Sequence, residues 1–176
     1  MRLTHFICII TLIFNFKLSA QEPLFFKGKP YAGTTAWNFL CENYALTGKT
    51  IIQIAKAEKG GVMKIAVATT ASDFYIGGTA YIYLSDYSAI ACTEKNLREK
   101  TENGTAAFYY LTESEMNRLK KLEIQSVRFN IRGKTNVFSS QTGNFTAVNK
   151  KSYFGTFGKD EENTFETAEE IALLYK

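Results

Sequence analysis

Residues 108–130 read FYYLTESEMNRLKKLEIQSVRFN and set a strand, a capped helix and a second strand in one run. Ala106 to Tyr110 is aromatic-rich, and such residues favour a pleated, half-buried surface. Thr112 and Glu115 have the spacing of a capping box, in which hydroxyl and carboxylate satisfy the exposed amides of a helix start. The spacing predicts a helix over 112–121. Met116 and Leu119 share its apolar face, Leu122 lies just beyond, and Lys120 and Lys121 suit the negative end of the helix dipole. Val127, Phe129 and Ile131 then alternate with Arg128, Asn130 and Arg132. That is the period of a strand with one buried face and one basic outer face.

The same signals extend outward from this run. Met63, Ile65 and Val67 alternate with Lys64, Ala66 and Ala68. Ala80, Ile82 and Leu84 alternate with Tyr81, Tyr83 and Ser85, and Ser88 to Cys92 can pair back across Asp86-Tyr87. Lys49 to Ala57 fits a helix or a hairpin strand. The alternation of Ile52 and Ile54 with Gln53 and Ala55, ahead of Glu58-Lys59-Gly60-Gly61, favours the hairpin. Residues 93–105 are polar and turn-rich, and short strands are expected at 135–139 and 144–148. A second helix is expected over 164–175, capped by Asn163, with Phe165, Ala168, Ile171, Ala172 and Tyr175 on its apolar face. Two helices against about seven strands give an α+β domain with a mostly antiparallel sheet. A β-sandwich with peripheral helices is the alternative.

The first residues, MRLTHFICIITLIFNFKLSAQEP, carry Arg2, an apolar run from Phe6 to Phe16, and Leu18-Ser19-Ala20. This is the layout of a signal peptide cut after Ala20. The run is too short for a spanning helix, which needs about 20 apolar residues, so no permanent membrane span is expected after cleavage. Residues 21–176 then form one globular domain, periplasmic or at the cell surface. The 176 residues include one histidine, His5, inside the leader. The remainder therefore has no Ser-His-Asp or Cys-His catalysis and no histidine metal site. Cleavage also removes Arg2 and Lys17, leaving 19 basic against 17 acidic residues, interleaved along the chain. Nucleic-acid binding needs clustered Lys and Arg on one face, and is not expected. Cys41 and Cys92 are the two thiols left in an oxidising compartment. A single disulfide between them is the simple expectation, stabilising by roughly 4 kcal/mol at most; two separately buried thiols are the alternative.

The leader resembles signal peptides of exported Bacteroidetes-type bacterial proteins. The central run resembles a segment of small exported bacterial proteins, Y-x-L-T-x-x-E followed by L-K and I-x-x-[IV]-R. Its positions here are Tyr109, Leu111, Thr112, Glu115, Leu119, Lys120, Ile124, Val127 and Arg128. The resemblance covers about 20 residues and implies export, with no activity and no functional residue attached.

Chemistry-bearing motifs are few. Thr47-Gly48-Lys49-Thr50 imitates the end of a phosphate-binding loop, but Asn43 stands where that loop needs glycine. Asp73 and Asp86 flank the tyrosine-rich strand and are the carboxylates a glycan hydrolase would bring together; a turn-forming role is the plainer reading. Asp160-Glu161-Glu162 reads as a solvated lead-in to the last helix. No cofactor and no metal is implied. Tyr81 and Tyr83 fall on one side of a strand, with Tyr75 and Tyr87 near in sequence. Exposed, they form a ladder for stacking on sugar rings or burying in a partner protein; covered by a helix, they are boundary packing. The leading expectation is a non-enzymatic binding or interaction module for an envelope protein or glycan. A carboxylate-dependent glycan hydrolase and a structural component of an envelope assembly are the alternatives.

Overall fold

The computed structural model describes residues 21–41, 48–133, 139–152 and 163–176. The expected leader, most of the expected strand at 135–139, Thr47 and the Asp160-Glu161-Glu162 cluster lie outside the described residues. The strands are β1 (Glu22–Phe26), β2 (Lys29–Gly33), β3 (Trp37–Leu40), β4 (Lys49–Lys56), β5 (Gly61–Ala68), β6 (Tyr75–Ile76), β7 (Ala80–Leu84) and β8 (Ala89–Cys92). They continue as β9 (Arg98–Thr101), β10 (Gly104–Leu111), β11 (Ile124–Arg132) and β12 (Gly143–Val148), with helices α1 (Glu113–Leu119) and α2 (Thr167–Leu173). The described chain is predominantly antiparallel β, and the helices are short.

All twelve strands join one sheet, whose main path runs β8-β7-β11-β12-β3-β4-β5-β10-β9. Among the described residues there is therefore no second, separate sheet of a sandwich. Instead the sheet curls until β10 lies against β6 and β8 from its other end. A seam of polar contacts holds these ends together. Tyr109 Oη donates to the Gly78 carbonyl at 3.1 Å, Glu94 accepts from Gly78 N–H and Arg98, and Lys100 Nζ donates to the Ser72 and Phe74 carbonyls.

The strand alternation read from the sequence sets what lies inside the curl. Met63 and Ile65 from β5, Ile82 and Leu84 from β7, and Val127, Phe129 and Ile131 from β11 join one core with Trp37 and Phe39. Helix α1 forms where expected. Thr112 N–H donates to Glu115 Oε2 at 2.7 Å, Glu115 N–H donates back to Thr112 Oγ1 at 3.2 Å, and Met116 and Leu119 are buried. Lys49–Ala68 is a hairpin, closed by Ala57 N–H donating to the Gly60 carbonyl at 3.1 Å. Gly60 has φ +85, and a Cβ there would overlap the Leu111 carbonyl, so only glycine fits.

Four expectations are corrected. Asn163 does not cap α2: its side chain bonds Ser152, and the N-cap position is Glu166 without a side-chain bond. The helix start is instead held from β11's side, where Glu123 Oε2 accepts from Thr167 Oγ1 at 2.6 Å and Ala168 N–H at 3.1 Å. Residues 93–105, read as turns, contain β9. The N-terminal segment, given no strand, forms a hairpin (β1–β2) and β3. Finally, Cys41 and Cys92 are not bridged. Cys41 directly follows β3 and Cys92 ends β8, with β12, β11 and β7 between those strands, whereas a disulfide needs Cα atoms within about 7 Å. Burial pushes the Cys92 thiol up to about 12, which marks it as an inert core residue.

Candidate functional site

The outer surface of the sheet has two unlike halves. On one, the β1–β2 hairpin folds over β4, β5 and β10, and Leu24, Phe26, Val62 and Phe108 make a second small core. On the other, formed by β8, β7, β11 and β12, the outward side chains meet solvent. This open half carries the tyrosines.

Cross-strand register arranges its side chains in rungs. Tyr83 lies beside Ala89 on one neighbour and Ser126 on the other, and Ser126 beside Val148. Tyr81 lies beside Ala91 and Arg128, and Arg128 beside Thr146. Asn130 and Asn144 form the next rung, joined by a 3.3 Å hydrogen bond. Tyr81 is 38% exposed and Tyr83 half-buried. Two residues apart on one strand, their rings project side by side roughly 6–7 Å apart along it. On the β8 side both tyrosines have small neighbours, Ala89 and Ala91.

The Arg128 side chain makes no hydrogen bond or ion pair among the described residues. The four strands of this half contain no Asp or Glu. The face is thus aromatic, amide- and hydroxyl-bearing, and positive.

At the Tyr83 end the face runs into a groove of about 510 Å³ lined by Ser85, Glu123, Gln125, Ser126, Thr164 and Phe165 among others. A bulge between Ile124 and Ser126 shapes it, where β11 carries one residue more than β7. The extra residue leaves both Gln125 and Ser126 at the groove while Ile124 and Val127 stay inside. Asn149 forms the groove's rigid wall: its amide donates to the Ile124 and Phe165 carbonyls, and its oxygen accepts from Phe165 N–H.

The four tyrosines named from the sequence separate. Tyr81 and Tyr83 share the open face. Tyr87 sits at the tip of the β7–β8 turn, 90% exposed with φ +63, a left-handed conformation that costs a non-glycine residue about 1–2 kcal/mol. Tyr75 leaves the ladder. It pairs with Arg132 at the far end of β11, roughly 13 Å along the strand from the Tyr81 rung. Its ring lies 4.2 Å from the Arg98 guanidinium, in the seam. From sequence, Arg128 and Arg132 on the outer side of β11 could add anion recognition, with a solvated basic face as the plainer reading; Ser126, Thr146, Asn144 and the groove residues were not singled out. The outward alternation of β11 was the signal for Arg128 and Asn130.

The two aspartates do not meet. Asp86 shapes the β7–β8 turn, accepting from Ser88 N–H at 3.0 Å and from the Ser88 hydroxyl, which holds its carboxyl below the usual range. Asp73 lines a groove with Tyr75, Arg98 and Lys100 beyond the other end of β11, a strand roughly 26 Å long. The Gly48-Lys49-Thr50 string starts β4, and Thr50 is buried. Among the described residues there is no cluster of three metal-ligating side chains, and no helix long and apolar enough to cross a membrane. Comparison with protein-family models, with curated proteins and with solved structures finds no match to this chain.

Proposed function

We propose that this protein is an exported binding module, acting in the bacterial envelope or at the cell surface, that holds sugar chains on the open face of β7 and β11. The reading includes no catalytic step. One observation carries it: Tyr81 and Tyr83 present adjacent rings on an uncovered sheet face, beside a guanidinium with no partner in the described protein. Tyrosine rings offer apolar area to the C–H faces of sugars, and their hydroxyls remain available for hydrogen bonds. Neither hydroxyl is bonded among the described residues. Asn144, Thr146, Ser126 and Gln125 surround the rings with donors and acceptors that match sugar hydroxyls. The rigid sheet behind them keeps the ordering cost of binding low. Seen in this light, the leader and the small α+β domain of residues 21–176 fit a compact exported module.

The test is affinity electrophoresis of the purified protein through gels containing plant, algal and bacterial polysaccharides. The reading expects retardation in at least one polymer and its loss in Tyr81→Ala/Tyr83→Ala with unchanged melting temperature. Retardation that survives the double substitution places the site elsewhere.

A further inference from the structure

The charge of the open face selects among sugar chains. We infer that the ligand of this face is an acidic glycan and that Arg128 is its specificity-determining residue, reading the anionic group of one sugar while Tyr81 holds the ring beside it. The inference rests on the binding reading above and adds the ligand's charge.

Three observations support it. First, Arg128 is exposed and unpaired among the described residues, although 17 acidic side chains are available in the sequence. A guanidinium offers a planar fork that fits a carboxylate or phosphate with two parallel hydrogen bonds. Second, β7, β8, β11 and β12 carry no acidic residue, so an anion on this face meets no carboxylate from these strands. The nearby Glu123 is spent on Thr167 and Ala168. Third, Arg132 repeats the charge four residues along the same strand, roughly 13 Å away, its Nε donating to Asn130 Oδ1 at 3.1 Å. Arg128, Asn130 and Arg132 thus make a file alternating cation, amide and cation. Such a file suits a polymer carrying charge at intervals better than a single small anion. Single-stranded nucleic acid also combines rings with charge, but its binders use a continuous basic groove. Here the cations are few, and Ala89 and Ala91 border the rings.

Affinities are compared by calorimetry for polygalacturonate and its carboxyl-reduced form, and for a phosphorylated mannan and its dephosphorylated form. The two pairs separate a carboxylate from a phosphate as the recognised group. At least one acidic polymer is expected to bind about tenfold or more tightly than its neutral counterpart. Arg128→Gln is expected to erase that difference with the melting temperature unchanged. Equal affinity within both pairs overturns the acidic-ligand inference and leaves the binding reading standing. So does an Arg128→Gln protein that still prefers the acidic form. Absence of binding to every polymer overturns both. An oligo-dT affinity above that for all four polymers overturns the glycan assignment in favour of nucleic acid.

Discussion

Two buried threonines, each replaced by the isosteric valine, are expected to change stability in opposite directions. Thr167 is fully buried where α2 meets β11. Its Oγ1 accepts from Ile124 N–H at 2.9 Å and donates to Glu123 Oε2 at 2.6 Å. Thr167→Val leaves the Ile124 amide unsatisfied, at about 1–3 kcal/mol, and removes a hydrogen bond to a charged group worth about 1.5–3 kcal/mol. The sum is about 3 kcal/mol of destabilisation after partial relaxation, or a melting temperature lower by roughly 10 °C for a chain of this size. Thr50 is also fully buried, but its Oγ1 has no hydrogen-bond partner among the described residues. Thr50→Val exchanges an unsatisfied hydroxyl for a methyl group and is expected to stabilise by about 1 kcal/mol. Urea titrations read by circular dichroism measure both, with unchanged slope expected. The reasoning is refuted if Thr167→Val costs less than about 1 kcal/mol, or if both variants shift the midpoint in the same direction.

Further expectations follow from other positions. Gly60→Ala forces a Cβ onto the Leu111 carbonyl in a left-handed turn; a loss of about 3 kcal/mol or more is expected in thermal melts. Burial raises the Cys92 thiol to about 12 and the Tyr109 phenol to about 12, both above their unfolded values of 9.0 and 10.0. Their contribution is complete below pH 9, and is lost as pH rises from there towards 12, because the unfolded chain ionises first. Stability should fall across that range, and Cys92 should resist alkylation at pH 8 until the protein is unfolded. Tyr87→Gly relieves a left-handed tyrosine and should leave stability equal or higher by up to about 1 kcal/mol, so any loss of glycan affinity in it reports a contact.

Local pattern made much of this fold legible. Thr112 and Glu115 announced α1 because a capping box depends only on residues three apart. The alternation in β5, β7 and β11 announced which side chains turn inward. Pro23 and Pro30 hid the first hairpin, since proline removes ladder donors; Pro23 is tolerated because β1 is an outermost strand paired only with β2, and Pro30 because β2 pairs with β4 at Gly33 and not at Pro30. Its turn, Lys27-Gly28, has both residues at positive φ, without the usual Asn or Asp signal. Strand β9 was masked by its charged residues, which serve the seam through Arg98 and Lys100. Asn163 looked like a cap, but the long-range Glu123 clasp displaced it, and spacing cannot show a partner 44 residues away. The Cys41–Cys92 pairing failed for the same reason, because strand order is not written in cysteine spacing.

The tyrosine pair was legible from period two. Its separation from Tyr75 depended on which strand each joins across β11, and the exposure of one sheet half depended on where the β1–β2 hairpin folds. Both are tertiary facts.

The central claim is that ligand meets the open face at Tyr81, Tyr83 and Arg128. Its most direct test is a titration of the isotope-labelled protein with an acidic oligosaccharide, followed by amide chemical shifts. The account predicts saturable shifts clustered on β7, β11 and β12, including Tyr81, Tyr83, Arg128 and Thr146, with β4 and β5 unmoved. Shifts centred on the Tyr75–Arg98 groove or on the β1–β2 hairpin, with β7 silent, would contradict it.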